Sequence, residues 1–135
     1  AVVPWSPLAG GLLTGAYSAD NPNPQGKRFA AETHPQKGSR NSAATLKVVD
    51  QFVAFAEERG VKASQYALAW NMAQPGISSS IVGPRTIEQL DDNIAALDIE
   101  ISQADCEIID RDIAPPGRMT SHYYEANFGP HRYAL

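Results

Sequence analysis

Apolar positions change their spacing several times along this chain, and each change marks an element. Val2, Val3 and Trp5 form a short β-prone run that Ser6-Pro7 and then Gly10-Gly11 halt. From Ser18 to Arg40 the chain carries Asn, Pro, Gly, Gln, Ser and charge, which predicts one long loop. Loops of that length in a compact domain are usually functional or disordered. Periodicity returns over 45–59, where Leu46, Val49, Val53 and Ala56 share one helix face and Phe52 and Phe55 widen it. Gly60 ends that helix. A second helix is predicted over 63–74, with Ala63, Tyr66, Ala67, Trp70 and Ala73 on one stripe, and Pro75-Gly76 stops it.

Residues 77–82 are β-branched and serine-rich, which predicts a short buried strand. Thr86 opens the next helix, with Ile87, Leu90, Ile94 and Leu97 at helical spacing. Ser102, followed three residues later by Asp105, is the expected N-cap of a last helix that carries Cys106, Ile109 and Ile113. Pro115-Pro116-Gly117 closes it. Residues 118–135 hold Tyr123, Tyr124, Phe128 and Tyr133 without a period and are expected to form an irregular tail. Strands alternating with helices predict an α/β fold with a parallel sheet and right-handed crossovers. Two short strands cannot bury helices on both faces. The hydrophobic helices therefore call for partners outside these 135 residues. A strand-like opening at Ala1, with no Met, creates the same expectation of a missing first half.

Composition narrows the class. At 43% hydrophobic and 19% charged the chain is an ordinary globular one, and a single domain of modest core is expected. Its apolar runs fall far short of a membrane span, and no signal segment opens it. A net charge of −4 argues against a broad nucleic-acid surface while leaving a local anion site open. Cys106 is the only cysteine, which excludes a disulfide framework and a thiolate cluster. A cytoplasmic protein is expected. His34, His122 and His131 lack metal-ligand spacing, so no metal site is assigned.

Residues 80–93 carry the strongest candidate chemistry. Thr86 and Gln89 match a capping box, in which the Thr side chain accepts from the Gln89 amide. Gly83-Pro84 lets the backbone turn off the strand. Arg85 then stands at a helix N-terminus, where free N–H groups and the dipole favour an anion. Its planar fork suits a phosphate. Asp91, Asp92 and Asn93 lie a turn further on, within reach of a sugar or base. Two readings stay open from these residues alone: an anion site, or a plain capped helix start with a solvated Arg.

The string Tyr66-Ala-Leu-Ala-Trp-Asn-Met-Ala-Gln-Pro-Gly76, followed by Ile-Val-Gly-Pro-Arg-Thr-Ile-Glu-Gln-Leu-Asp-Asp-Asn93, closely resembles the C-terminal signature of bacterial-type aldo-keto reductases. Trp5-Ser-Pro-Leu-Ala-Gly-Gly-Leu-Leu-Thr-Gly-Ala-Tyr17 resembles that family's segment at the end of its seventh barrel strand. Leu97-Asp-Ile-Glu-Ile-Ser102 resembles the lead into its extra C-terminal helix. The likeness runs from Ala1 to about Gly117, in order and spacing. It implies the C-terminal part of a (β/α)8 TIM barrel: strands seven (residues 2–5) and eight (residues 77–82) with their helices, an extra helix, and the tail. A phosphate site in the loops after strands seven and eight is recurrent in such barrels.

The resemblance also implies an NADPH-dependent oxidoreductase that reduces aldehyde and ketone carbonyls by hydride transfer. Trp5 matches the aromatic that stacks on the nicotinamide. Ser6, Leu8 and Gly10 match positions that contact the pyrophosphate. Gly83, Arg85 and Gln89 match the 2′-phosphate site, and Asp92 with Asn93 the adenine-contacting pair. Arg28 resembles a loop arginine that closes over the pyrophosphate in some members.

Two departures qualify this. Many relatives carry Lys where this chain has Ala16, so one phosphate contact is expected to be either lost or taken over by Lys27 or Arg28. The family's tetrad (a Tyr general acid with Lys, Asp and His) belongs to the first half of the barrel. No catalytic residue is therefore assigned, and the chain alone is expected to be inactive. Tyr123 and Tyr124 are expected to line the substrate pocket, and Cys106 to pack as a small hydrophobe. The alternatives are a non-catalytic nucleotide-binding regulatory subunit of the same fold, and a small α/β domain held together as a homo-oligomer.

Overall fold

The computed structural model describes residues 1–32, 34, 38 and 40–114. Residues 115–135, including the expected helix stop at Pro115 and the aromatic tail, lie outside the described residues.

The first helix, α1 (Ala43–Glu57), begins two residues earlier than its apolar period suggests. Ser42 is its N-cap, and the Ser42 hydroxyl accepts from the Thr45 amide at 3.3 Å. Its far end closes on the left-handed Gly60: Gly60 N donates to Glu57 O at 2.9 Å and Val61 N to Ala56 O at 3.1 Å. Those are the paired bonds of a Schellman closure, which a residue with positive φ makes possible. The second helix, α2 (Ala63–Ala73), follows at once. Phe52, Phe55 and Ala56 of α1 and Ala63, Tyr66 and Ala67 of α2 bury one core with Ile109 and Ile113. Tyr66 meets both phenylalanines edge-on, an arrangement the ring quadrupoles favour.

The last helix is present where Ser102 predicts it, with Ser102 Oγ accepting from Asp105 N at 3.0 Å. It runs as α4 (Gln103–Ile108) and continues as a π turn, Ile109–Ile113, that delivers Ile109 and Ile113 to the core. Between them α3 (Ile87–Ile94) passes into a 3₁₀ turn, Ala95–Asp98.

A second small core forms under an irregular 3₁₀ segment, Ala9–Thr14, where Leu12, Tyr17 and Phe29 pack on Leu46 and Val49 of α1. The long loop is thereby folded onto α1. Tyr17 OH accepts from Phe29 N, Asp50 Oδ2 accepts from Ala19 N, and buried Asn41 donates to Pro22 O and Asn23 Oδ1.

The expected strands pair in parallel but only at isolated bridges, Val2 with Ile77 and Trp5 with Ile81. Val2 N donates to Gly76 O, Ser78 N to Val2 O, and Ile81 N to Pro4 O. Three residues on one side thus match four on the other, and this offset breaks the ladder between the bridges. The expected buried strand at 77–82 needs correction. Ile81 is 55% exposed and Val82 is exposed too: α2 reaches this pair only through the Asn71–Ser80 bond and a shallow depression at Leu68 and Met72, and among the described residues no further strand pairs with it. Ile87, Leu90 and Ile94 of α3, and Leu97 in the 3₁₀ turn after it, are likewise exposed.

Candidate functional site

The two segments that hold the candidate residues are brought together by the Trp5–Ile81 bridge. On one side the chain leaves Trp5, which is 66% exposed, and enters a tight loop. Ser6 and Ala9 both adopt positive φ there, 58° and 50°, a conformation that side-chain-bearing residues seldom hold. Hydrogen bonds over-determine it: Ser6 Oγ accepts from Gly10 N at 3.2 Å, Ser6 O from Ala9 N at 2.8 Å, and Leu8 O from Gly11 N at 2.9 Å. Leu8 anchors the loop by packing against the α1–α2 core.

Gly10 is required where it stands. Its φ is 69°, and a Cβ there would come 2.6 Å from Phe29 Cζ. That close approach also places Arg28, an exposed residue, beside the loop, its Cδ 3.7 Å from the same point. Arg28 lies 18 residues from Gly10 in sequence. No local spacing signals the contact; Tyr17 OH, by accepting from Phe29 N, holds the turn Arg28–Ala30 in place.

On the other side the Thr86 cap forms, but the return bond from Gln89 reaches one residue further out than a capping box requires, to the Arg85 amide instead of the Thr86 amide. Thr86 Oγ1 accepts from Gln89 N at 3.3 Å, and Gln89 Oε1 accepts from Arg85 N at 2.8 Å. Gln89 therefore spends its carbonyl oxygen on the Arg85 amide and keeps its NH₂ for other partners. The Arg85 side chain is exposed and makes no hydrogen bond or ion pair among the described residues. Open space surrounds the position a Gly83 Cβ would take. Glu88 complicates the site. Its own backbone N–H, and then the Thr86 hydroxyl, stabilise the charged carboxylate and hold its pKa below the usual value. The helix start thus already has an internal anion, which an external one would have to share or displace. The donor set fits an anion: a free guanidinium and first-turn N–H groups at the positive end of α3.

Asp92 and Asn93 part company. Asn93 borders a shallow depression of about 150 Å³ with Leu68, Met72, Val82, Leu90 and Leu97. Asp92 instead bonds to Lys62, the residue before α2, and to Ser64 and Gln65 in its first turn. Sequence reasoning also missed Asn71, whose Oδ1 accepts from Ser80 Oγ at 2.6 Å and pins the residues before Ile81 to α2. Among the described residues no cluster of His, Cys, Asp and Glu is placed to hold a metal, and no helix is long and apolar enough to cross a membrane.

The sequence model of the Aldo/keto reductase family matches residues 1–113. The chain belongs to the aldo/keto reductase family. This aldo/keto reductase chain is 38% identical over 108 residues to the "Probable voltage-gated potassium channel subunit beta" of Oryza sativa subsp. japonica, covering 79% of this chain and 32% of that protein. It is 35% identical over 123 residues to the "Uncharacterized oxidoreductase YrpG" of Bacillus subtilis, covering 91% of this chain and 35% of that one. With the "L-glyceraldehyde 3-phosphate reductase" of Escherichia coli it shares 32% identity over 116 residues, 83% of this chain and 33% of the relative. The chain spans about a third of the length of these relatives.

Proposed function

We propose that this chain is the C-terminal part of an NADP(H)-dependent aldo/keto reductase barrel, supplying the cofactor-binding half of a carbonyl-reducing site in the cytoplasm. The observation that carries the reading is the Trp5–Ile81 bridge, which sets the strained Ser6–Gly10 loop beside a capped helix start bearing an unengaged Arg85. When bound, NADPH supplies the hydride for reduction of a carbonyl. Trp5 offers an exposed ring to stack on and orient the nicotinamide. The Ser6 hydroxyl, the backbone at Leu8 and Gly10, and Arg28 line the path assigned to the pyrophosphate. Gly83, Arg85 and the Gln89 NH₂ receive the 2′-phosphate, and Asn93 the adenine. The proton donor lies outside these residues, so the chain by itself does not catalyse.

Titration of nucleotide fluorescence tests this. Arg85→Ala is expected to weaken NADPH roughly tenfold or more, the worth of a charge-assisted hydrogen bond, and to leave NADH nearly unchanged. Equal affinity of wild type and variant for NADPH would sink the assignment. Turnover of an aldehyde by the isolated chain would sink the proposed division of labour.

A second reading has specific support, because a relative at 38% identity is named a potassium channel subunit beta. On that reading the protein binds nucleotide as a regulatory subunit without turning over substrate. A Tyr, Lys, Asp and His set in the polypeptide's other barrel strands decides for the enzyme.

A further inference from the structure

Asp92 stands on α3 one turn past Gln89, yet its carboxylate serves a different helix. Lys62 Nζ donates to Oδ1, Gln65 Nε2 donates to the same oxygen at 3.1 Å, and Ser64 Oγ donates to Oδ2 at 3.1 Å. The three donors sit at the start of α2. That start lacks a cap of its own, since the residue in the N-cap position is Lys62, which offers no side-chain acceptor. Asp92 brings from α3 the negative charge that the positive end of α2 favours.

The tie matters most to α3. No residue of α3 is buried, and Ile87, Leu90 and Ile94 lie exposed along it. Apolar packing therefore does little to fix its direction within the described residues. A carboxylate held by three donors, with its side chain 24% exposed, is a stiffer constraint than a lone surface ion pair. The same helix carries the Thr86 cap and the Gln89–Arg85 bond that present Arg85 and Gln89 at its start.

We propose that Asp92 is a positioning residue: through Lys62, Ser64 and Gln65 it sets the direction of α3, and so the alignment of the anion site at residues 83–89 with the loop that follows Trp5. Asp92 does this instead of touching the nucleotide. The inference rests on the cofactor reading above and departs from the adenine contact that resemblance implies for Asp92. A tilt of α3 moves Arg85 and Gln89, so its effect falls on recognition of the 2′-phosphate.

Affinities for NADPH and for NADH are measured on the protein with wild-type sequence, Lys62→Met, Asp92→Ala and the double variant. Each single change is expected to weaken NADPH roughly fivefold and NADH less, and the double variant to be no worse than Asp92→Ala, the signature of residues acting as one unit. Lys62→Arg retains the NADPH preference. Loss with Asp92→Ala but none with Lys62→Met makes Asp92 a direct nucleotide contact and overturns the proposal. Equal losses for both nucleotides reduce the tie to general stability, and no loss in either variant dismisses it altogether. If wild type binds neither nucleotide, the cofactor reading fails, and amide exchange decides the latch separately. Faster exchange along α3 in Lys62→Met and Asp92→Ala upholds it, and unchanged exchange removes it.

Discussion

Arg59 and Asp105 join the turn that closes α1 to α4 through a single carboxylate oxygen: Arg59 Nε donates to Asp105 Oδ1 at 2.9 Å and Nη2 donates to the same atom at 2.6 Å. The remaining donor, Nη1, reaches Phe55 O at 3.0 Å, and the guanidinium carbon lies 3.4 Å from the centroid of the Phe55 ring. Half-buried, hydrogen-bonded and stacked, this pair is worth more than an exposed one. Arg59→Met is expected to cost about 2 kcal/mol, because it strands a carboxylate against the core. A urea midpoint equal to wild type would refute this.

The same clamp sets an acid limit. Burial works to raise the Asp105 pKa, but hydrogen bonds from Arg59 and Ser102 and the Arg59 charge outweigh it, so the carboxyl titrates below its usual range. A folded pKa below the unfolded value, about 4, gives a stability contribution that is complete above pH 4 and fades as pH falls through the folded value. Urea unfolding at pH 7, 4 and 3 is expected to show a steeper loss below pH 4 in wild type than in Asp105→Asn. Parallel acid limbs would remove Asp105 from the account.

Tyr66 sets the alkaline counterpart. Only 2% exposed, its hydroxyl makes no hydrogen bond of ordinary geometry among the described residues, yet it lies near enough to the Asp105 carboxylate to interact with it weakly. Burial first, and then the nearby Asp105 charge, push its pKa up to about 12 against the opposing pull of Arg59. A folded pKa above the unfolded value, about 10, gives stability that is complete below pH 10 and lost between there and pH 12. Tyr66→Phe removes a buried hydroxyl whose one near partner, Asp105, is already held by Arg59 and Ser102, so it is expected to change stability at pH 7 by less than about 1 kcal/mol. It also flattens the alkaline limb. A clear loss of stability at pH 7 would show that the hydroxyl is partnered.

Gly10→Ala meets two penalties at once, a φ of 69° and a Cβ 2.6 Å from Phe29 Cζ. Relief requires buried Phe29 to move, and burying a Phe contributes about 1.5–3 kcal/mol. The substitution is expected to cost about 2 kcal/mol or more and, since Phe29 carries Arg28 with it, to weaken NADPH. Full stability with wild-type affinity would show that the loop repacks freely.

Thr86→Ala removes the N-cap of α3 and releases the Gln89 amide. The expected cost is about 1 kcal/mol, read as faster amide exchange in the first turn of α3. Since Gln89 also holds the Arg85 amide, NADPH affinity is expected to fall with it. Exchange at the wild-type rate would mean that the cap contributes nothing.

The capped helix start at Thr86 and the cap at Ser102 were legible because both depend on residues three apart, a distance that no packing can alter. The same holds for the closure at Gly60 and for the buried face of α1. On α2 the expected stripe is buried at Ala63, Tyr66 and Ala67, but Ala73 is exposed, and Leu68 and Ala69 are buried off it. Ser42 shows the limit of that reading. It starts α1 ahead of the apolar period because the capping bond needs no apolar neighbour.

Tertiary structure decided the rest. Asp92 and Asn93 are adjacent and look interchangeable as ligands, yet the helix turn between them sends Asp92 to donors 27 to 30 residues away. Arg28 reaches Gly10 only because Phe29 is buried beneath that loop. Residues 77–82 have the composition of an interior strand, but burial belongs to neighbours and not to composition, and here Ile81 pairs with Trp5 and stays exposed. The sequence by itself determined caps, helix faces and family, all short-range or cumulative signals. Which side chains meet across the fold depended on how the helices pack, and no local spacing encodes that.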